Sequence, residues 1–366
     1  KEGESTEWQA SWFSGMAAHT MGICGGRPNF LSYLEAPLKA LVNNTAGTIL
    51  AAMVRAYILF LIMGFRPSVS ALGAIAYSLS SYNIIILEAG HVTKAWTLAY
   101  MPLIIAGMVA LFRRKALLAG LLMALGLALQ IKNNHLQMTY YTGILCAILY
   151  IGYITKEVFK GKRKSFLIIL GIITVLFFVN YILTQREVIG FEYSLYFGAL
   201  YCAAIFVVYI IKCISGKDYT GIKGLGALIA GVLIAVLCNA GSFYTNYEMG
   251  QESIRGKSEL TTPGNAGKQS SGLDKDYAFG WSYGKAETFT LLVPNMFGGS
   301  GKPYDNDSES VKTLISLAQS GQIPAEFVNN VAGSIPKYWG AQPWTAGPVY
   351  FGAIICFLFV LGMIVI

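Results

Sequence analysis

Apolar residues fall in long blocks along this chain, and the short stretches between the blocks are polar and rich in Lys and Arg. A hydrocarbon core about 30 Å thick needs roughly 20 apolar residues in a helix. Eight blocks before residue 242 approach that length, over 45–64, 68–87, 95–112, 115–131, 139–155, 166–183, 192–211 and 224–241. A ninth begins near 349 and is still apolar at Ile366. Block 68–87 fits least well, because Ser68, Ser70, Ser78, Ser80 and Ser81 dilute it. The chain starts at Lys1 and ends in FLFVLGMIVI, so it reads as a piece of a longer protein, with further crossings expected upstream and downstream.

The placement of basic residues predicts an orientation, because cytoplasmic loops of membrane proteins carry the excess of Lys and Arg. One alternate set of loops holds Arg66, Arg113 to Lys115, Lys156, Lys160, Lys162 to Lys164, Lys212, Lys217 and Lys223, against only Glu157 and Asp218. The other short loops hold Lys94, Lys132 and Arg186. Eight crossings put every basic cluster on one side, which the charge rule makes cytoplasmic. The expected organisation is an extracytoplasmic loop and juxtamembrane helix over 1–44, then a transmembrane bundle of about eight helices over 45–241. An extracytoplasmic, loop-rich cap over 242–348 and a further transmembrane helix from 349 complete it. The fold class is all-α and polytopic.

Composition narrows the class further. Hydrophobic residues make up 55% and charged residues 13%, against about 25% charged in ordinary soluble domains. Disordered chains, collagens, coiled coils and disulfide-stapled modules are excluded by that balance and by six scattered cysteines. Only Cys24 is expected outside the membrane, so no external disulfide framework is predicted. The net charge of +8 is a topology signal, and no nucleic-acid partner is needed to explain it.

Ionisable groups at membrane level are costly and usually face a cavity or a partner. In ILEAGHVTKAW, Glu88, His91 and Lys94 are spaced three and three, so a helix would put them on one face. Such a cluster either caps helix ends and snorkels to water or binds an anion such as a lipid phosphate. One hairpin later, LQIKNNHLQMTYY gathers Lys132, Asn134, His135 and Gln137 in a very short turn on the same predicted side. No HExxH or CxxC accompanies the histidines, so no transition-metal centre is expected. The pairs Asp274/Asp276 and Asp305/Asp307 offer oxygen ligands for a divalent cation, Mg²⁺ or Ca²⁺. Arg55 lies inside the first block and needs a carboxylate or a wet cavity.

The run FRPSVSALGAIAYSLSSYNIIILEAGHVTKAWTLAYMPLIIAGMVAL resembles the core of bacterial YfhO-type membrane proteins. The matching pieces are the segment Ala76–Ser81, the turn Gly90-His91 with Lys94, and Trp96 with Pro102. NNHLQMTYY resembles the same family's His-x-Gln-x-x-Tyr element, giving His135, Gln137 and Tyr140. WFSGMAAHTMG is similar to its Phe-x-Gly-Met-Pro segment, with Ala17 in place of Pro. The stretch 242–348 looks like that of members from Bacteroidetes-type bacteria.

That resemblance implies a glycosyltransferase of the GT-C superfamily in a bacterial inner membrane, multi-pass, with its active face extracytoplasmic. The donor would be a polyprenyl-phosphate-linked sugar and the acceptor an extracytoplasmic glycan or polymer. His91, Lys94, Lys132, His135 and Arg255 would bind the donor phosphate. Glu88, Asn134, Gln137, Tyr140, Trp281 and Tyr283 would support the substrate. Enzymes of that superfamily carry a carboxylate in the first external loop, which implies a catalytic acid upstream of Lys1, with Glu88 as the fallback. The rival readings are a lipid-linked sugar flippase, against which the chain shows no internal repeat, and a non-catalytic envelope assembly protein.

Overall fold

The computed structural model describes residues 8–9, 16–17, 33–37, 44–162, scattered positions between 164 and 182, 191–251, 279–282, 284–299, 303–305, 307–332, 334, 336–342 and 349–365. The helices are α1 (Asn44–Ile62), α2 (Pro67–Ser78), α3 (Ser81–Glu88), α4 (Val92–Phe112), α5 (Ala116–Lys132) and α6 (Leu136–Val158). They continue with α7 (Phe191–Ser215), α8 (Thr220–Cys238), α9 (Ala240–Gln251), α10 (Glu309–Gln319), α11 (Ala325–Ala332) and α12 (Ala353–Val365). A 3₁₀ helix spans Lys285–Leu291, and two-residue strands Trp8–Gln9 and Met16–Ala17 pair antiparallel.

Among the described residues six helices are long and apolar enough to cross a membrane: Thr45–Ile62, Pro67–Glu88, Val92–Phe112, Leu136–Val158, Gly198–Ser215 and Thr220–Cys238. Ala116–Lys132 and Ala353–Val365 are shorter apolar helices. The chain is thus a polytopic α-helical membrane protein. Block 166–183 falls on residues of which only scattered positions are described, all of them helical. The serine-rich block divides, with α2 ending at Ser78 and α3 beginning at Ser81.

The chain separates into two compact units, residues 1–78 with 91–243, and residues 79–90 with 244–366. In the first, α4 is buried on nearly every side, against α1, α5 and α6. Trp96, Ala99 and Tyr100 pack with Ala51, Ala52 and Ala128, while Ile104, Met108 and Leu111 pack with Ala119, Met123 and Leu228. Lipid tails are as apolar as leucine, so helices associate in a membrane by close packing and interhelical hydrogen bonds. Gly120 and Gly231 provide the first between α5 and α8: a Cβ on Gly231 would lie 2.6 Å from the Gly120 carbonyl oxygen. Buried Gln130 provides the second, its Nε2 donating to the Thr97 carbonyl and to Thr142 Oγ1, each at 3.1 Å.

The basic loops of this unit meet at one end. Arg114 pairs with Asp218 at 2.6 Å and with Glu157 at 3.9 Å. Lys212 donates to the Glu157 carbonyl, and Arg113 to the Met63 carbonyl. The two acids of these loops therefore serve to hold the basic turns together.

The second unit is organised around a buried carboxylate. Glu287 is 1% exposed and accepts from Tyr338 Oη at 2.5 Å, the Gly284 amide at 2.6 Å and the Ala341 amide at 2.9 Å. A Cβ on Gly340 would collide with Glu287 Oε1 and the Tyr338 hydroxyl, so only glycine allows this approach. Burial pushes the Glu287 carboxyl up, but the three hydrogen bonds outweigh it and hold the group below its usual range. A depressed carboxyl contributes stability that is full above the ordinary value of about 4.3 and is lost as pH falls through the folded value. Acid titration followed by Trp281 and Trp339 fluorescence should therefore show local opening below pH about 4. Glu287→Gln should remove that acid-dependent step.

Candidate functional site

Opposite the basic loops, the first unit gathers the ends of α4, α5 and α6. Two of these helices begin here, and first-turn amides have no partner within their own helix. His91 occupies the position just before α4 and His135 the position just before α6, and neither side chain caps its helix. Helix N-termini present amide donors and partial positive charge, which suits an anion.

The turn between α5 and α6 is tight because Asn134 adopts a left-handed conformation, φ 54°. Its residues serve two clusters. Lys132 and Asn133 face Glu35, which is 1% exposed on a helical turn over 33–37. Lys132 Nζ lies 2.5 Å from Glu35 Oε2, and Asn133 Nδ2 donates to Oε1 at 3.5 Å. Tyr100 donates its hydroxyl proton to the same Oε1. Beneath it Arg55, 6% exposed inside α1, stacks 3.7 Å from the centre of the Tyr100 ring and lies within electrostatic reach of Glu35. Arg55 Nη1 is buried with no hydrogen-bond partner among the described residues. Two cations thus surround one carboxylate, leaving an excess positive charge below the surface.

His135 belongs to the second cluster. Burial lowers its pKa first, and the Lys94 ammonium and the His91 ring lower it further, against a hydrogen bond to its own backbone. Its Nδ1 is buried and, apart from that contact with its own backbone, has no hydrogen-bond partner among the described residues. The ring is accordingly neutral near pH 7, beside a half-buried Lys94 and an exposed His91. A bound anion would favour its protonation.

His91, Lys94 and His135, singled out from sequence as phosphate ligands, therefore come together. Lys132 is engaged with Glu35 instead. Gln137 donates to the Tyr141 hydroxyl at 2.8 Å, and Tyr140 is exposed. Glu88 and Trp281 belong to the other unit. Arg255, Tyr283, Asp274 and Asp276 lie outside the described residues. Asp305 pairs with Lys337 at 2.7 Å, and among the described residues no group of three or more His, Cys, Asp or Glu could hold a metal ion.

Sequence reasoning missed Glu35. A signal was present: it is the only acid between Glu7 and Glu88, and its setting, FLSYLEAPLKALV, is apolar. A separate cavity of about 280 Å³, lined by Met108, Met123, Leu228 and Val232 among others, is apolar and lies away from both polar clusters.

No protein-family model matches the chain, and no curated protein or solved structure is significantly similar to it. Function must be argued from the site itself.

Proposed function

We propose that this chain is the membrane core of a glycosyltransferase that moves a sugar from a polyprenyl-phosphate carrier to a hydroxyl acceptor, at the end of the bundle where Glu35, Lys132, His91, Lys94 and His135 gather. One observation carries the proposal: a single turn, 132–135, joins a buried carboxylate to a cluster of cationic and histidine groups at two helix N-termini. Transfer from a phosphate needs both kinds of group. A carboxylate takes the acceptor's proton, the acceptor oxygen bonds to the anomeric carbon, and the sugar–phosphate bond breaks. The lipid phosphate leaves with the electron pair, and cationic donors stabilise its charge.

In this scheme Glu35 is the base, Lys132 and Tyr100 orient it, and Lys94 with protonated His135 receives the phosphate. A catalytic acid upstream of Lys1 and Glu88 are the competing candidates. The deciding experiment is transfer from a radiolabelled polyprenyl-phosphate sugar by the full-length protein in membranes. Absence of transfer to any envelope glycan fraction, with donor bound, would refute the proposal.

Charged hydrogen bonds to phosphate are worth about 1.5–3 kcal/mol each. Lys94→Ala should therefore weaken donor binding by roughly ten- to a hundredfold with normal expression. Binding unchanged in an equilibrium assay would remove Lys94 from the phosphate site.

The same scheme places the basic loops in the cytoplasm and the polar site outside, in line with the charge bias. In a cysteine-free background, an impermeant thiol reagent added outside should modify Ser316→Cys and spare Ser215→Cys. The reverse pattern would invert the orientation.

A further inference from the structure

By composition, 242–348 reads as one water-facing stretch. Residues 285–296 stand out within it by which side chains are exposed. Glu287 and Thr290 are turned inward, each 1% exposed, whereas Phe289, Leu292, Val293 and Met296 are turned outward, with Phe289 59% and Val293 52% exposed. These four outward side chains lie within eight residues, from the 3₁₀ helix into the turns that follow it. A segment facing water hides its apolar groups and solvates its acids. Here the acid is buried while four large apolar side chains face outward beside Lys285, Thr288 and Asn295, and exposed apolar groups gathered in this way mark an interaction surface.

The occupant follows from what the segment is tied to. The Phe351 amide donates to the Leu291 carbonyl at 3.1 Å, just before α12 begins at Ala353. Helix α12 is wholly apolar in sequence, with no buried residue. Next to Phe351, Tyr350 is pinned to Ser81: the Ser81 hydroxyl donates to the Tyr350 carbonyl at 2.5 Å, and the Tyr350 amide approaches Ser81 Oγ at 3.2 Å. Ser81 is the first residue of the apolar helix α3, seven residues before its end at Glu88. At 1.5 Å per residue that is about 10 Å along the helix from Glu88. Leu291, at the end of the 3₁₀ helix, is therefore tied through Phe351 to the start of the apolar helix α12, and the neighbouring Tyr350 ties that start to α3. Trp339 and Trp281 flank residues 285–296, both exposed, with Trp339 bonded through its amide to the Phe297 carbonyl at 3.0 Å. Tryptophan is the residue that concentrates at membrane interfaces.

We propose that residues 285–296 form an interfacial anchor, seated with Phe289, Leu292, Val293 and Met296 in the headgroup and upper acyl region of the leaflet at which α12 starts. Segments with one apolar face lie in that region without crossing the bilayer. The anchor is independent of the chemistry at Glu35 and His135. It sets the depth of the Glu287 hydrogen-bond cluster, since the 3₁₀ helix bearing the anchor's first residues also bears Glu287.

The test uses the full-length protein in vesicles of phosphatidylcholine and phosphatidylglycerol. In a cysteine-free background, an environment-sensitive fluorophore is placed at Val293→Cys and, as an independent position, at Leu292→Cys, with Ser316→Cys on α10 as the water-facing control. Lipids carrying a quencher near the headgroup end of the acyl chain should quench both anchor labels severalfold more strongly than the control. Aqueous iodide should show the reverse order. Anchor labels quenched by iodide like the control, and untouched by quencher lipid, would overturn the proposal. Protection from both quenchers would overturn it too, because the face would then be covered by protein.

Discussion

Glu35→Gln should lower sugar transfer by about 10²–10⁴, the usual cost of losing a general base. The variant keeps the shape of the side chain and its contacts with Asn133 and Tyr100, but it can no longer accept a proton. Donor binding should change little, because the phosphate is assigned to Lys94 and His135. Glu88→Gln should fall by less than about tenfold, since a supporting residue contributes only to positioning. A Glu35→Gln enzyme retaining near-normal turnover, with Glu88→Gln inactive, would move the base to Glu88. Loss of donor binding in step with turnover would make Glu35 a mainstay of the phosphate site through Lys132. Glu35→Ala would not separate these cases. It leaves buried Arg55 and half-buried Lys132 without their carboxylate, and breaking a buried pair typically costs about 3–5 kcal/mol of stability.

Gly231→Ala should give the largest loss of stability among single-methyl changes in the bundle. The added carbon would sit 2.6 Å from the Gly120 carbonyl oxygen and 3.1 Å from the Ala124 amide nitrogen, and backbone cannot rotate aside as a side chain would. Separating α5 from α8 weakens the contact on which Met123 and Leu228 also depend. Overpacking of this kind costs about 1–3 kcal/mol, and a backbone clash falls at the upper end. Thermal unfolding in detergent should show a clear drop in midpoint. Gly143→Ala, on α6 with open space around it, should be close to neutral. Equal stability of the two variants would show that α5 and α8 are not packed at this glycine pair.

The helices were legible because membrane crossing imposes a length and a polarity that few other structures share. Blocks 45–64, 95–112, 115–131, 139–155 and 192–211 each overlie one helix, 224–241 overlies α8 and reaches the start of α9, and the basic clusters fall in the turns that meet around Arg114. The serines that dilute block 68–87 mark the place where the helix breaks, between Ser78 and Ser81. The polar site was legible in part. His91 and His135 drew attention because histidine and lysine are rare at the ends of apolar helices. Glu35 did not, because a lone acid in a short segment outside any apolar block carries no period. Only folding brings it to a lysine 97 positions later. The inverted polarity of 285–296 was invisible for a related reason, since composition averages over a stretch and cannot say which side chains turn inward.

The tie between Glu35 and Lys132 also constrains how this sequence can drift over generations. Losing the lysine alone takes the ion-pair partner from a buried carboxylate, and losing the acid alone leaves buried Arg55 and half-buried Lys132 without their carboxylate, so either single step is heavily selected against. Replacing Glu35, Lys132 and Arg55 together with apolar residues of similar size costs the scaffold little, because a buried ion cluster is often no better for folding than well-packed hydrophobic side chains. Removing Glu35 and Lys132 alone would still leave Arg55 buried without its carboxylate, so descendants should keep all three residues or none. A lineage with none, but with the Gly120–Gly231 contact intact, would have retained the architecture while giving up whatever the carboxylate does.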